Sequence, residues 1–467
     1  MGLSKGDVVV TLLPNSVYFP VVFLGALCAG AVVAPMNPLS GLSVTRRRVA
    51  DLNARLAITS PGRFEALKDT PGFSMIELPE IETSSSSDFS AFRSLLSQNS
   101  DQDSVGLPVI RQRDTAAILY SSGTTGFSKA VALTHGNLIA MVELFVKFGA
   151  ARDGDSGPEN VYLAVLPMFH VFGLSLFAVG LLSLGSSIVV MKKFDAVEAV
   201  RAIERFKVTH FPVVPFILPA LTSRARGAGA KGLGSLKQVL SGAAPLRRKH
   251  AEDFIEALPH VDLIQGYGMT ETTAVGSRGF NTAADRKYSS VGDLAPNMEA
   301  KIVDCEDGSP LPPGRSGELW LRGPSIMKGY LGNREAIDED GWLHTGDVCC
   351  FDEDGYLFIL DRLKDIIKYK GFQIAPADLE TVLVSHPEIV DAGVAGGEDE
   401  IAGEIPVAFV VKKPGSCLSE ASVIDYVAEQ VPPYQKVRVV VFTQSVPRSA
   451  AGKILRRELK NSLISRL

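Results

Sequence analysis

Apolar and polar positions along this chain follow two alternating periods. Residues 161–166, 187–191 and 209–214 are short runs rich in β-branched and aromatic side chains, and the stretch Ala196–Phe206 between them repeats with a helical period. Strands alternating with helices predict parallel sheets with helices on their faces. From about residue 299 the runs shorten and the turns tighten, at 301–303, 317–321 and 356–360, which predicts a small, partly antiparallel β region. Residues 361–370 are dense in charge. Beyond them, Pro376 fits the first turn of a helix whose Leu379, Val382 and Leu383 share a face, and apolar runs at 389–390 and 407–411 read as strands. We therefore expect an α/β body over residues 1–361 and a separate α+β unit over residues 362–467. The apolar stretch 18–36 contains Pro20 and small residues around Gly25 and Gly30, and reads as a buried helix rather than a membrane span. Residues 84–104 and 224–234 read as polar loops.

Composition narrows the class without identifying it. Hydrophobic residues are 46% and charged residues 21%, as in ordinary globular chains, which excludes a disordered or collagen-like protein. The net charge is -5, so there is no overall basic field for nucleic acid. The five cysteines form no C-x-x-C, which argues against a zinc ribbon or a disulfide scaffold. The Ser465-Arg466-Leu467 tail differs from the peroxisomal Ser-Lys-Leu address only by Arg for Lys, and implies a peroxisomal import receptor as partner.

The sharpest chemical segment follows the apolar run 116–119. It carries Ser121, Ser122, Gly123, Thr124, Thr125, Gly126 and Lys129. Backbone N–H groups and hydroxyls in such a loop can wrap phosphate oxygens, and Lys129 adds a positive charge. The loop is not a Walker A motif, because Phe127 follows Gly126. Gly227, Gly229 and Gly232 match a dinucleotide fingerprint but follow no strand, so we reject them. Two further junctions, Ser241-Gly242-Ala243 and Gln265-Gly266-Tyr267-Gly268, follow β-like runs, where ligands sit in open α/β sheets. Tyr267 offers a stacking face, and Glu271 could hold a metal bound to phosphates. Asp347, after Thr345 and Gly346, could accept from a ribose diol or merely brace a turn. Arg362, Lys364, Lys368 and Lys370 could form a solvated face. Lys453 sits in a loop of small residues. His170, among apolar residues, has no partner at metal-ligand spacing.

Taken in order, these segments resemble the acyl-adenylate-forming superfamily, and most of all the plant 4-coumarate:CoA ligases and their peroxisomal relatives. The resemblance runs along essentially the whole chain. It implies a large adenylate-forming body of two αβ-layered sheets and a small β region, with a mobile C-terminal α+β cap. It also implies an acid–CoA ligase using Mg2+, ATP and coenzyme A. A carboxylic acid attacks the α-phosphate of ATP, and the thiol of CoA then displaces AMP. Lys453 matches the family's lysine at the carboxylate and α-phosphate, and Asp347 and Arg362 match its ribose contacts. Ala243, Gln265, Gly266, Tyr267 and Thr270 match nucleotide contacts, Glu271 the Mg2+ ligand, and Lys364 the hinge. Lys193, Lys370 and Gly371 match CoA contacts. His170, Lys368 and Gln373 match further functional positions.

The acid pocket falls at Phe172, Leu176, Leu240, Gly242, Gly268, Thr272, Thr273 and Ala274. The family has Tyr, a small hydroxylated residue and commonly a cation where this chain has Phe172, Leu176 and Leu240. Where the family has Ala-Gly-Pro, this chain has Thr272-Thr273-Ala274. A pocket without a partner for a phenol discriminates weakly for it. The expected acid is 4-coumarate or another hydroxycinnamate, with a fatty or jasmonate-precursor acid as the alternative. An inactive adenylate-binding paralogue is the rival of another class. Family members also carry several tens of residues before the segment matching Lys5-Gly6-Asp7-Val8, from which we expect the strand near residues 9–12 to pack poorly.

Overall fold

The computed structural model describes residues 3–68, 73–78, 106–121, 129–152, 159–228, 232–279, 287–332, 336–370, 372–449 and 452–464. Four sheets organise them. The first has seven strands in the order Gly329–Tyr330, Lys129–Thr134, Thr115–Ser121, Val32–Pro35, Val8–Leu12, Leu56–Thr59 and Ser74–Glu77. Its strands from Thr115–Ser121 to Ser74–Glu77 run parallel, and the other two add antiparallel. The second also has seven, in the order Asp293–Leu294, Ser277–Arg278, Asp262–Tyr267, Gln238–Ser241, His210–Val213, Val161–Ala164 and Ser187–Val190. Five of these are parallel, and the two short edge strands are antiparallel. A five-stranded antiparallel sheet follows, built from Glu299–Val303, Pro310–Leu311, Gly317–Arg322, Leu343–Phe351 and Leu357–Arg362. The last sheet joins Phe372–Ile374, Ile367–Tyr369, Gly403–Lys412 and Ile389–Asp399, with Val439–Phe442 beside Gly403–Lys412.

Local chemistry explains where elements begin and end. The helix Ala196–Phe206 starts where Asp195 accepts from the Val197 and Glu198 amides, and it stops at Lys207 in a left-handed conformation. The helix Pro376–Ser385 begins on its proline, whose missing N–H costs nothing in the first turn. One large apolar core runs from Leu13 to Leu357, and a second from Ile367 to Val440.

Three expectations are corrected. Residues 18–36 are not one buried helix. The helix Tyr18–Cys28 buries Tyr18, Phe19, Phe23 and Leu27 but exposes Val21 and Leu24, and the chain then turns at Gly30 (φ +77°) into the strand Val32–Pro35. The region 224–234 is not all loop, because the helix Leu218–Ala228 runs into it and buries Ala225. The strand Val8–Leu12 is not poorly packed: it pairs on both sides, and Val9, Val10 and Leu12 have no exposed surface. The loop read at 84–104 lies outside the described residues. No helix among the described residues is long and apolar enough to cross a membrane.

Candidate functional site

A cavity of about 1010 Å³ opens where the first three sheets meet the small C-terminal sheet. The strand ends Ser121 and Tyr267, with Gly266 before one and Gly242 just past the end of Gln238–Ser241, open onto it, as the carboxyl ends of parallel strands do in open α/β sheets.

Arg362, at the last position of its strand, pairs in register with Asp347. Its Nε lies 2.6 Å from Asp347 Oδ1, while the Tyr267 hydroxyl donates to Asp347 Oδ2 at 2.7 Å. The Asp347 carboxylate is 2% exposed, so both its oxygens are held inside the protein. Gly346 precedes it at φ +68°, a conformation that favours glycine, and gives its N–H to Glu318 Oε1 at 2.9 Å. Burial beside Asp347 pushes the Tyr267 phenol well above its ordinary range, so it stays a donor.

Glu271 lies on a single 3-10 turn, Thr270–Thr272, and is 6% exposed. The Tyr330 hydroxyl donates to its Oε1 at 2.8 Å, and Lys129 Nζ lies 4.5 Å from the centre of the Tyr330 ring. Tyr330 belongs to no motif and was invisible to sequence reasoning. Its two-residue strand pairs with Lys129–Thr134, which carries it to the site.

Lys453 enters from the C-terminal unit on a tight loop. Ser449 N–H donates to Lys453 O at 2.8 Å, Lys453 N–H donates to Ser449 Oγ at 3.2 Å, and Arg448 Nη1 donates to Gly452 O at 3.0 Å. Burial, and then the nearby Arg362 cation, push the Lys453 ammonium down to about 8. Lys364, at the cavity wall, is also pushed down, mainly by burial.

An apolar arm extends away from these charges. Phe172 covers Gly242: a Cβ on that glycine would sit 3.2 Å from its ring. Gly268 allows closer approach still, since a Cβ there would collide with the Ala274 carbonyl at 1.7 Å. Leu176 lies on a π-helical segment, Leu174–Gly180, a rare geometry that often marks functional sites. His170 also lines the cavity, and burial pushes its imidazole down, so it is neutral at pH 7.

The cavity thus gathers Ser121, Lys129, His170, Phe172, Leu176, Leu240, Gly242 and Ala243. It also gathers Gly266, Tyr267, Gly268, Thr270, Glu271, Ala274, Arg362, Lys364, Lys368 and Lys453. Other expected residues do not reach it. Gln265 does not line it and donates to Tyr288 O at 2.6 Å. Thr272 and Thr273 are fully buried and bonded inside the protein, Thr272 to Met269 O and Thr273 to Ser325 O. Asp347 stands behind Tyr267 and Arg362 rather than on the wall. Lys193 and Lys370 lie off the cavity, Lys193 exposed and Lys370 at the turn beyond Ile367–Tyr369 with φ +48°. Ser122, Gly123, Thr124, Thr125, Gly126, Gly371, the Gln373 side chain and the Ser465-Arg466-Leu467 tail lie outside the described residues. No cluster of three or more His, Cys, Asp and Glu able to hold a metal occurs among the described residues. Glu271 still fits a cation that takes most of its oxygens from phosphates and water, because Mg2+ is commonly held by one or two carboxylates plus substrate phosphates.

Comparison with known proteins agrees with this geometry. The AMP-binding enzyme family matches residues 1–331, and the AMP-binding enzyme C-terminal domain matches residues 378–453. The chain is 57% identical to 4-coumarate--CoA ligase-like 6 of Arabidopsis thaliana, covering 100% of this chain and 84% of that protein. It is 43% identical to peroxisomal OPC-8:0-CoA ligase 1 of the same plant, covering 98% and 84%. Its fold superposes on ATP-bound MatB from Rhodopseudomonas palustris with a TM-score of 0.88 at 27% identity, covering 99% of this chain and 89% of that one. The chain therefore belongs to the AMP-binding, adenylate-forming enzyme family.

Proposed function

We propose that this protein is an ATP-dependent acid–CoA ligase whose cavity holds a nucleotide at its charged end and an acyl chain in its apolar arm. The observation that carries this reading is the convergence of Lys453, Arg362 and Glu271 at the mouth of an apolar channel. A carboxylate is already ionised at neutral pH, so the first half-reaction needs neutralised phosphate charge more than a base. Its oxygen forms a bond to the α-phosphorus as the bond to pyrophosphate breaks. Lys453 supplies the cation at that oxygen, and Arg362, oriented by Asp347, faces the sugar. Glu271, held by Tyr330, would receive Mg2+, which when bound offsets phosphate charge. Lys129 and the loop 122–128 complete the phosphate site. In the second half-reaction the sulfur of CoA bonds to the acyl carbon and AMP leaves.

We place the division between body and cap at Asp361 and Arg362, with Lys364 as the pivot on which the cap turns between half-reactions. Lys193, Lys370 and Gly371 are then CoA contacts reached in the second arrangement, with Lys368 and Gln373 beside them. Phe172, Leu176 and Leu240 offer no partner to a phenol, which favours an alkanoic over a hydroxycinnamic acid. The peroxisomal relative and the Ser465-Arg466-Leu467 tail support a peroxisomal setting.

Acid-dependent ATP–pyrophosphate exchange, followed by mass detection of the CoA thioester, tests the reading. Exchange with an alkanoate and thioester formation on adding CoA are expected, and exchange with no acid would overturn it. If 4-coumarate outruns the alkanoates, the hydroxycinnamate assignment replaces the alkanoate one.

A further inference from the structure

One carboxylate holds the bulge that shapes the charged end of the cavity. Between the strands Gly317–Arg322 and Leu343–Phe351, Glu318 pairs with Val348 and Trp320 with His344. Thr345, Gly346 and Asp347 therefore stand opposite Leu319 alone, an irregularity of the kind that re-aims side chains beside active sites. The Thr345 hydroxyl donates to the Leu319 carbonyl at 2.6 Å and accepts from Asp347 N–H at 3.1 Å. Gly346 N–H donates to Glu318 Oε1 at 2.9 Å, and the Gly346 carbonyl accepts from Leu363 N–H at 2.9 Å. Gly346 is thus tied both to the neighbouring strand and to the residue that follows Arg362, while Asp347 pairs with Arg362 itself.

Glu318 also has a second donor. Its Oε2 accepts from the Trp320 indole N–H at 2.9 Å, two residues along the same strand and so on the same face. Trp320 is itself clamped. His344 stacks on it with ring centroids 3.6 Å apart and planes 15° apart. Lys301 Nζ lies 4.5 Å from the centre of the Trp320 ring and 4.4 Å from that of Trp342. Glu318, His344, Thr345, Gly346 and Leu363 border the cavity, and neither tryptophan does. A carboxylate repels phosphate, so what Glu318 contributes at this wall is the position of the groups it holds.

We propose that Glu318 and Trp320 are positioning residues for the nucleotide. The indole fixes the carboxylate, the carboxylate fixes Gly346, and the bulge then presents Asp347 to Arg362 and holds Leu363 beside Lys364. This inference rests on the reading of the charged end as a nucleotide site. The same linkage makes Trp320 a reporter. It and Trp342 are the two tryptophans of the chain, and only Trp320 shares a carboxylate with the bulge. A nucleotide seated against Arg362 should therefore change the tryptophan emission through Trp320.

The test measures the dissociation constant of AMP by calorimetry. Trp320→Phe keeps a ring on His344 and loses the N–H, and AMP should bind about threefold more weakly. Glu318→Gln can keep its oxygen on Gly346 only by turning its amide N–H toward the indole N–H, donor against donor, and AMP should bind about tenfold more weakly. The double variant removes that conflict and should return to about the threefold level. In exchange assays the KM for ATP should rise by the same factors while the KM for the acid stays within about twofold, a split that a general loss of fold would not give. Saturating AMP should change the emission of Trp342→Phe and not that of Trp320→Phe. Losses that simply multiply in the double variant overturn this inference alone. So does an AMP affinity unmoved by Glu318→Gln, or an emission change that is absent or resides in Trp342. If the parent protein binds no AMP, the nucleotide reading fails with it.

Discussion

Arg247 Nη2 lies 2.9 Å from Asp391 Oδ1, joining the start of the helix Arg248–Ala257 to the strand Ile389–Asp399 across 144 residues of sequence. Arg448, from the loop that carries Lys453, holds the same carboxylate at 2.9 and 3.0 Å. Arg247 also donates to the Ala392 carbonyl at 2.9 Å. Asp391 is thus bracketed by a cation from the body and a cation from the Lys453 loop, and it fixes the loop against the body. Asp391→Asn should lower acid-dependent pyrophosphate exchange about tenfold, while CoA capture of a supplied acyl-adenylate changes less than twofold. Because the pair is only partly buried, the melting temperature should move little. Equal loss in both half-reactions would contradict a role confined to this arrangement.

Lys453 sets a pH limit. Its cation must be protonated to face a phosphate, and in the unliganded protein it is pushed down to about 8. Exchange kcat/KM should therefore fall as pH rises through about 8, and Lys453→Arg, which stays charged, should move that limb upward even if its maximum is lower. The stability sign is opposite. The folded value lies below the ordinary 10.5, so the charged form costs the fold something at all pH below about 8, and that cost is relieved between about 8 and 10.5. Lys453→Met should abolish exchange yet stabilise the unliganded protein, by at most about 3 kcal/mol at neutral pH. Urea unfolding of both proteins checks this.

Asp347 is where a small change should do the most structural damage. Removing its carboxylate takes the buried anion away from the partly buried Arg362 cation and the acceptor away from the Tyr267 hydroxyl. Asp347→Ala should cost about 3–5 kcal/mol. Asp347→Asn keeps one acceptor and should cost less, while still raising the KM for ATP as Arg362 loses its orientation. Thermal melting alongside ATP-dependent kinetics separates the two effects.

Tyr330→Phe removes a side-chain hydroxyl that donates to Glu271 and leaves the ring over which Lys129 sits. The carboxylate then has more freedom, so the Mg2+ concentration giving half-maximal exchange should rise several-fold, with little change in the KM for the acid. An unchanged Mg2+ requirement would detach Tyr330 from the phosphate site.

How much of this was legible in the sequence depends on the range of the interaction. The helix Ala196–Phe206 was readable to the residue, because its cap and its periodicity are local. The stretch 18–36 was misread, because an unbroken apolar run does not distinguish a helix from a helix, turn and strand. The family resemblance, rather than any single motif, pointed to Lys453, Arg362 and Glu271, which line one cavity, and also to Gln265, which stands beside Gly266 but donates to Tyr288 O. Tyr330 and Arg247 reach their places only through sheet register and packing between distant segments, which no local pattern encodes.

Gly452 offers the most local test of how Lys453 is placed. The loop can reach the cavity only if its backbone passes close to the short helix Pro215–Ile217 of the body. Gly452 has φ +77°, and a Cβ on it would lie 2.9 Å from Phe216 Cδ1. Gly452→Ala meets both penalties, the left-handed backbone and the overlap with a ring that is itself half exposed. The ring can swing away, so the fold should survive with a melting temperature within a few degrees of the parent. The loop cannot then settle at the same depth, and a misplacement of about 1 Å at a reacting centre can cost about a hundredfold in rate. Exchange should fall by roughly that factor. The double variant Gly452→Ala with Phe216→Ala, which removes the overlap but not the backbone strain, should recover part of the loss. No recovery would assign the whole effect to backbone conformation and none to the contact with Phe216.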